Sequence, residues 1–273
     1  MSAQEGTNPK ASHNRVSVFP RSDARLKRPL AEPESTVQGT KQGALKLQKQ
    51  RQGAFTALSK TACNPWGRYR KSFKINQAGR GWVVHANNNT FSEAIIKEVK
   101  TTKSELSRVI TSPHKNFVEL QEAIYYEGAI FLVYEIMDVS LGQIFSSPLG
   151  RLQLFEVAAF SREILAGLEH IHKRLKITHG DISSSSILLS VTGAVKIGNL
   201  GTSMLQNNDI RDSQSDIESV GNIIIECLEP STFLRKVGSL VSDWGSNAMN
   251  FVESTRTQPA SQLLKVSFPS SVS

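Results

Sequence analysis

The sequence predicts an α+β domain in which a small antiparallel sheet with one short helix precedes a mainly helical half. Three observations predict it. β-rich runs follow one another between residues 81 and 136, the longest helical period covers residues 152–174, and a polar composition gives way to a globular one after Ile75. With 273 residues, 39% of them hydrophobic, the chain has material for one large domain or two lobes.

Residues 1–74 read as a basic, mostly disordered tail. They are rich in Ser, Gln, Lys, Arg, Gly and Pro and lack a sustained apolar period, so burial cannot offset the entropy of ordering them. Residues 1–75 hold 15 Lys and Arg against 4 acids, a net +11, while the remainder carries −3, so the formal +8 belongs to the tail. Within it, residues 43–59 support no more than a transient basic helix, because Leu45, Leu47, Phe55 and Leu58 make only a ragged apolar face. The basic clusters at residues 25–29 and 46–51 suit nuclear import factors, nucleic acid or phosphorylated partners. Such clusters are frequent by chance, and no aromatic platform interleaves with the charges, so a solvated tail is favoured over nucleic-acid contact.

Cys63 and Cys227 lie far apart and show neither a disulfide framework nor a metal spacing, which points to reduced thiols. No stretch approaches the roughly 20 apolar residues of a membrane span, and no signal-peptide core opens the chain. The expectation is a cytosolic or nuclear protein without membrane contact.

After Ile75, residues 81–86 (GWVVHA) and 93–99 (EAIIKEV) predict a hairpin through Asn87, Asn88 and Asn89. A short helical stretch near residues 104–110 follows. Residues 117–125 and 128–136 then form a second strand pair turning at Glu127-Gly128. Phe155, Ala158, Ala159, Ile164, Leu165, Leu168, Ile171 and His172 set the helical period of residues 152–174. Residues 186–190 and 194–197 make a small hairpin around Thr192-Gly193, and residues 216–228 return to helix. His170, His172 and His179 read as packing histidines, because positions two apart on a helix do not share a face and no cysteine or carboxylate cluster accompanies them.

His179-Gly180-Asp181 and Asn199-Leu200-Gly201 are the most informative strings. With the order of elements, they give residues 78–268 a distributed resemblance to the eukaryotic protein kinase superfamily. The resemblance implies a bilobal protein-kinase-like fold over residues 75–268, with an N-lobe over about 75–137, a C-lobe over about 138–268 and a short tail at 269–273. It gives Lys97, in the string AIIK, the role of holding the α and β phosphates of ATP. Glu105 takes the position of the helix C glutamate that pairs with Lys97, at a spacing of eight residues that is short for the family. Residues 132–138 resemble the hinge, where Glu135 and Met137 would meet adenine. Gly79 and Gly81 are the first two glycines of a degraded G-x-G-x-x-G loop with Val84 in the third place. A weakened phosphate grip follows, with Trp82 partly in the cleft.

In the catalytic loop Asp181 keeps the general-base position. Ser183 replaces the lysine that steadies the γ-phosphate, and Ser186 replaces the asparagine that holds a second magnesium. Gly180 replaces the arginine that receives a phosphorylated activation loop. Asn199 replaces the aspartate of D-F-G, a neutral amide where magnesium favours anionic oxygen, so any metal would have only Asn199 and Ser186. Only 16 residues separate Asn199 from Asp216, with no A-P-E between them. The apolar skeleton survives the resemblance: His179, Leu200 and Val109 stand where the family's internal spine stands, Gly201 closes the D-F-G position, and Asp216 anchors the catalytic loop.

The resemblance therefore implies a pseudokinase, a binding or scaffold module with protein partners, weak or no ATP binding and little hold on magnesium. The alternative is a divergent serine/threonine kinase that uses Asp181 and Lys97 to move the ATP γ-phosphate to a protein hydroxyl. A further alternative makes the basic tail the working part.

Overall fold

The computed structural model describes residues 58–88, 92–147, 152–206, 213–235 and 246–266. The tail expected over residues 1–74 lies outside the described residues as far as residue 57, together with the two basic clusters and most of the transient helix expected there, as does the short tail expected at 269–273.

Strands β1 (Ser59–Ala62), β2 (Tyr69–Asn76), β3 (Arg80–Ala86), β4 (Glu93–Lys100), β5 (Leu120–Tyr126) and β6 (Ala129–Tyr134) form a six-stranded sheet in the order β1-β5-β6-β4-β3-β2. Neighbours are antiparallel except β1, which runs parallel to β5 with Ser59 opposite Glu122. The β5–β6 turn places Glu127 and Gly128 both at positive φ, 45° and 77°, as a tight primed hairpin turn requires.

The boundary drawn after residue 74 is corrected: strands β1 and β2 carry the sheet back to Ser59. These residues show no apolar period because β2 is an edge strand exposed along most of its length. β1 is held instead by one buried carboxylate. Glu122 accepts hydrogen bonds from Arg68 Nη1 (2.5 Å), Tyr69 Oη (3.1 Å), Ser59 Oγ and Thr61 Oγ1 (both 3.3 Å). Trp66 packs edge-on against Phe131, ring centroids 5.5 Å apart, and helps cover the cluster of Val84, Ile96, Ile124 and Val133. Trp82 packs on this same face, with the Lys71 ammonium 5.0 Å from its ring centre, so the expectation that it enters the cleft is corrected. Along a strand, alternate side chains take opposite faces, and Trp82 sits opposite Ile96, one residue off the register of Lys97.

Helix C is reduced to a 3-10 turn, Lys103–Arg108, ending at the buried Val109. The helical half opens with β7 (Val139–Ser140) and α1 (Leu141–Phe145), followed by α2 (Leu154–His170). Val157, Phe160, Ile164, Leu165 and Leu168 form the buried stripe of α2, whereas Phe155 is 55% exposed and does not belong to it. A single π turn and Lys176 at φ 58° redirect the chain into the catalytic loop. β8 (Ile187–Leu189) and β9 (Val195–Ile197) extend the small sheet begun by β7. Then come α3 (Leu200–Gln206), α4 (Ser213–Leu228), α5 (Pro230–Arg235), α6 (Ser246–Ser254) and α7 (Ala260–Leu263). Cys63 and Cys227 are free, and burial in α4 raises the Cys227 thiol pKa. Among the described residues no helix is long and apolar enough to cross a membrane.

Candidate nucleotide cleft and catalytic loop

Asp216, in the first turn of α4, lies under the catalytic loop. Its carboxylate accepts the backbone N–H groups of His179 (2.7 Å) and Gly180 (2.9 Å) and faces His172 Nε2 at 2.8 Å. Gly180, at φ 74°, supplies the left-handed backbone at this turn. Burial alone would raise the Asp216 pKa, but the hydrogen bonds from His172, His179 and Gly180 hold it below the ordinary carboxylate value. His179 is completely buried, which lowers its pKa. Its Nε2 lies 2.7 Å from the Gly198 carbonyl, so the neutral ring carries its proton there, leaving Nδ1 to accept the Asp181 N–H at 3.3 Å. Ser203 Oγ donates to the His179 carbonyl at 2.7 Å, tying α3 to the same loop. Leu200, His179 and Val109 are all buried.

Serines of the catalytic loop take partners within the loop and on α4. Ser186 Oγ donates to the Ser183 carbonyl and accepts the Ser183 N–H, both at 2.9 Å. Ser184 Oγ donates to Glu226 of α4. Asp181 is exposed.

Across the cleft, Lys97 on β4 is 7% exposed and donates to Asn199 Oδ1 (2.6 Å) and to the Ala78 carbonyl (2.5 Å). Burial lowers its pKa from the ordinary 10.5 to about 7, with the Asp181 charge working in the opposite direction. The expected Lys97–Glu105 pair is corrected. Glu105 pairs with Arg108 at 2.7 Å, because the short 3-10 turn brings residues three apart together. Glu105 is thereby engaged away from Lys97.

The turn between β2 and β3 explains what Lys97 meets. Ala78 and Gly79 are both left-handed (φ 49° and 91°) and fold the turn into the cleft, where the Ala78 N–H donates to the Ser185 carbonyl at 3.1 Å. Gln77 Nε2 donates to the Met137 carbonyl at 2.7 Å, and Gln77 Oε1 accepts the Met137 N–H at 3.3 Å. Gln77 and Ala78 are 1% and 2% exposed. Gly79 faces Asn199: a Cβ there would lie 3.5 Å from its Nδ2. Gly81 serves strand packing, since a Cβ would come within 2.9 Å of Ile95 Cγ2 and 3.1 Å of the Ile96 carbonyl. Glu135 accepts the Glu119 N–H (2.7 Å) and the Lys196 ammonium (2.5 Å). Tyr134, just before it, is buried and its Oη accepts the Gly201 N–H at 3.1 Å. What remains between Gln77, Lys97, Tyr134, Leu188 and Asn199 is about 10 Å³, no more than one water requires.

The sequence reading missed Gln77, Ala78 and Tyr134. Only a polar residue two places before Gly79 hints at Gln77, and nothing local marks Ala78 or Tyr134.

ATP does not fit this arrangement, because the Met137 hinge groups are paired with Gln77 and Lys97 with Ala78 and Asn199. Magnesium does not fit either. Asn199 Oδ1 already accepts from an ammonium, Ser186 Oγ is closed on Ser183, and the described residues hold no cluster of three metal-ligating side chains.

Residues 75–220 match the protein kinase domain, and the chain belongs to that family, with its sheet-based N-lobe and helical C-lobe. As a class, that domain takes ATP and acts with protein substrates or partners. The chain is 29% identical over 167 residues to the serine/threonine-protein kinase shk1/pak1 of Schizosaccharomyces pombe, covering 56% of this chain and 25% of that protein. It is 26% identical over 198 residues to the serine/threonine-protein kinase STE20 of Candida glabrata, covering 61% and 21%. It is 29% identical over 125 residues to cyclin-dependent kinase 12 of Drosophila melanogaster, covering 45% and 11%. The chain thus spans a quarter or less of the length of these relatives.

Proposed function

We propose that this chain is a pseudokinase, a kinase-fold module of the cytosol or nucleus that acts by binding protein partners, with weak or no ATP binding. The observation that carries the reading is the engagement of Lys97 by Asn199 and the Ala78 carbonyl, where a kinase needs that lysine on phosphate and a carboxylate on metal. Each missing electrostatic contact commonly costs about 10² to 10³ in rate, and Ser183, Ser186 and Asn199 each stand for one. Asp181, exposed beside a well-anchored loop, is the observation on the side of a divergent serine/threonine kinase.

The test is transfer of radiolabelled γ-phosphate by the full chain, with magnesium or manganese, onto itself and onto a generic basic protein. The expected result is incorporation no greater than that of Asp181→Ala. Incorporation that Asp181→Ala abolishes would overturn the pseudokinase reading in favour of the kinase.

A further inference from the structure

We propose that Gln77 is a built-in hinge ligand. Its carboxamide holds, on the backbone of Met137, the place of a purine edge, and the hinge beneath it is a competent site for adenosine that the chain keeps closed. The inference rests on the reading that the phosphate end of the cleft no longer works, and it concerns the opposite end.

A primary carboxamide presents an N–H donor beside a carbonyl acceptor in one plane, and Met137 offers the complementary carbonyl and N–H to it. The amino-bearing edge of adenine presents the same pair in the same order. An apolar residue at position 77 would fill the space but leave both Met137 groups buried and unpaired, which is the costly outcome for backbone polar groups. The plug is fixed on three elements: Gln77 on the hinge, the Ala78 carbonyl on Lys97 of β4, and the Ala78 N–H on Ser185 of the catalytic loop. A non-glycine residue at φ 49° persists only when its surroundings over-determine it, and these contacts do so for Ala78.

The ligand class follows from what the plug covers. A planar heterocycle with a donor next to an acceptor satisfies Met137, whereas phosphates and metal find their partners engaged or replaced. Adenosine, without metal, is therefore the probe. If the closed plug dominates in the wild type, the apparent affinity is reduced by the fraction of open molecules, and removing the amide restores it.

The experiment is calorimetric titration of adenosine into the full chain as wild type, Gln77→Ala and Gln77→Asn, with thermal melting of each. Gln77→Ala is expected to bind at least about ten-fold more tightly than the wild type. Gln77→Asn, whose arm is one methylene shorter, is expected to show a gain of the same sign. N6,N6-dimethyladenosine, which lacks the donor, is expected to lose the gain.

A cooperatively melting Gln77→Ala that binds adenosine no better than the wild type would overturn the proposal, as would a gain that the dimethyl compound shares in full. Should Gln77→Ala fail to melt cooperatively, Gln77→Asn decides by the same comparison. Should both fail, amide exchange in the wild type decides: a protected Met137 N–H is expected, and rapid exchange overturns the assignment. The two readings fail separately. A chain that transfers no phosphate and whose variants gain nothing sinks the plug alone. One that does transfer phosphate, while its variants gain adenosine affinity, sinks the pseudokinase reading alone.

Discussion

The underside of the catalytic loop and the cleft above it are built on opposite rules. Below, a carboxylate on α4 gathers two backbone N–H groups and a histidine, an arrangement of charge and donors that fixes the loop. Above, groups of the same family origin face one another: a lysine on an amide and a carbonyl, serines on their own loop, and a glutamine on the hinge. The difference teaches that shaping the fold and handling phosphate are separable demands on one loop. Asp216 serves the first, and nothing about it requires a metal or a nucleotide. Asn199 and Ser186, which the proposed reading relieves of the second, take partners within the protein through their side chains.

The largest effect is expected below the loop. Asp216→Ala leaves the buried His179 N–H, the Gly180 N–H and the His172 ring without their acceptor and should cost about 3–5 kcal/mol in urea denaturation. Because its folded pKa is depressed, Asp216 contributes stability that is full above its ordinary 3.8 and is lost as pH falls through the lower folded value. The acid limb of the stability profile should therefore shrink in the variant. A cost no greater than that of a cleft substitution would break the contrast.

In the cleft, Lys97 makes stability depend on pH in the alkaline direction. The unfolded chain keeps this proton up to about 10.5, while the folded protein releases it near 7. The unfolded state thus binds more protons between those values, and stability rises with pH across that window. Lys97→Met should flatten this limb, as denaturation at a series of pH values would reveal. An unchanged slope would show that Lys97 is not the group responsible.

The smallest effect belongs to Tyr134→Phe, which removes the acceptor of the Gly201 N–H and should cost about 1 kcal/mol in the same denaturation assay. A much larger loss would mean that the hinge side shapes the fold as strongly as Asp216 does, sharpening the comparison into one of degree.

Local physics made much of the fold legible. The hairpin turn at Glu127-Gly128 follows from residue types that tolerate positive φ, and the stripe of α2 from a helical period. The same logic placed Phe155 wrongly inside, since a repeat in sequence does not say which side of its edge residues a neighbour will cover. β1 escaped notice because Glu122, far along the chain, binds its hydroxyl side chains, and β2 because an exposed edge strand shows no apolar alternation. In the candidate site, the chemical identities at Gly180, Ser183, Ser186 and Asn199 are plain in the sequence, whereas Glu105 was assigned a partner that its short turn does not reach.

By itself, then, the sequence determined the class of fold, the succession of strands and helices, and the residue types that stand at Gly180, Ser183, Ser186 and Asn199, because each depends on residue type and short-range spacing. Only the tertiary structure decided that Lys97 is bound by Asn199 and Ala78, that Gln77 lies on Met137, and that a strand beginning at Ser59 completes the sheet. Those pairings join residues 19 to 102 positions apart, and at such separations the partner of a polar group is chosen by where packed elements bring it, not by its neighbours in the chain.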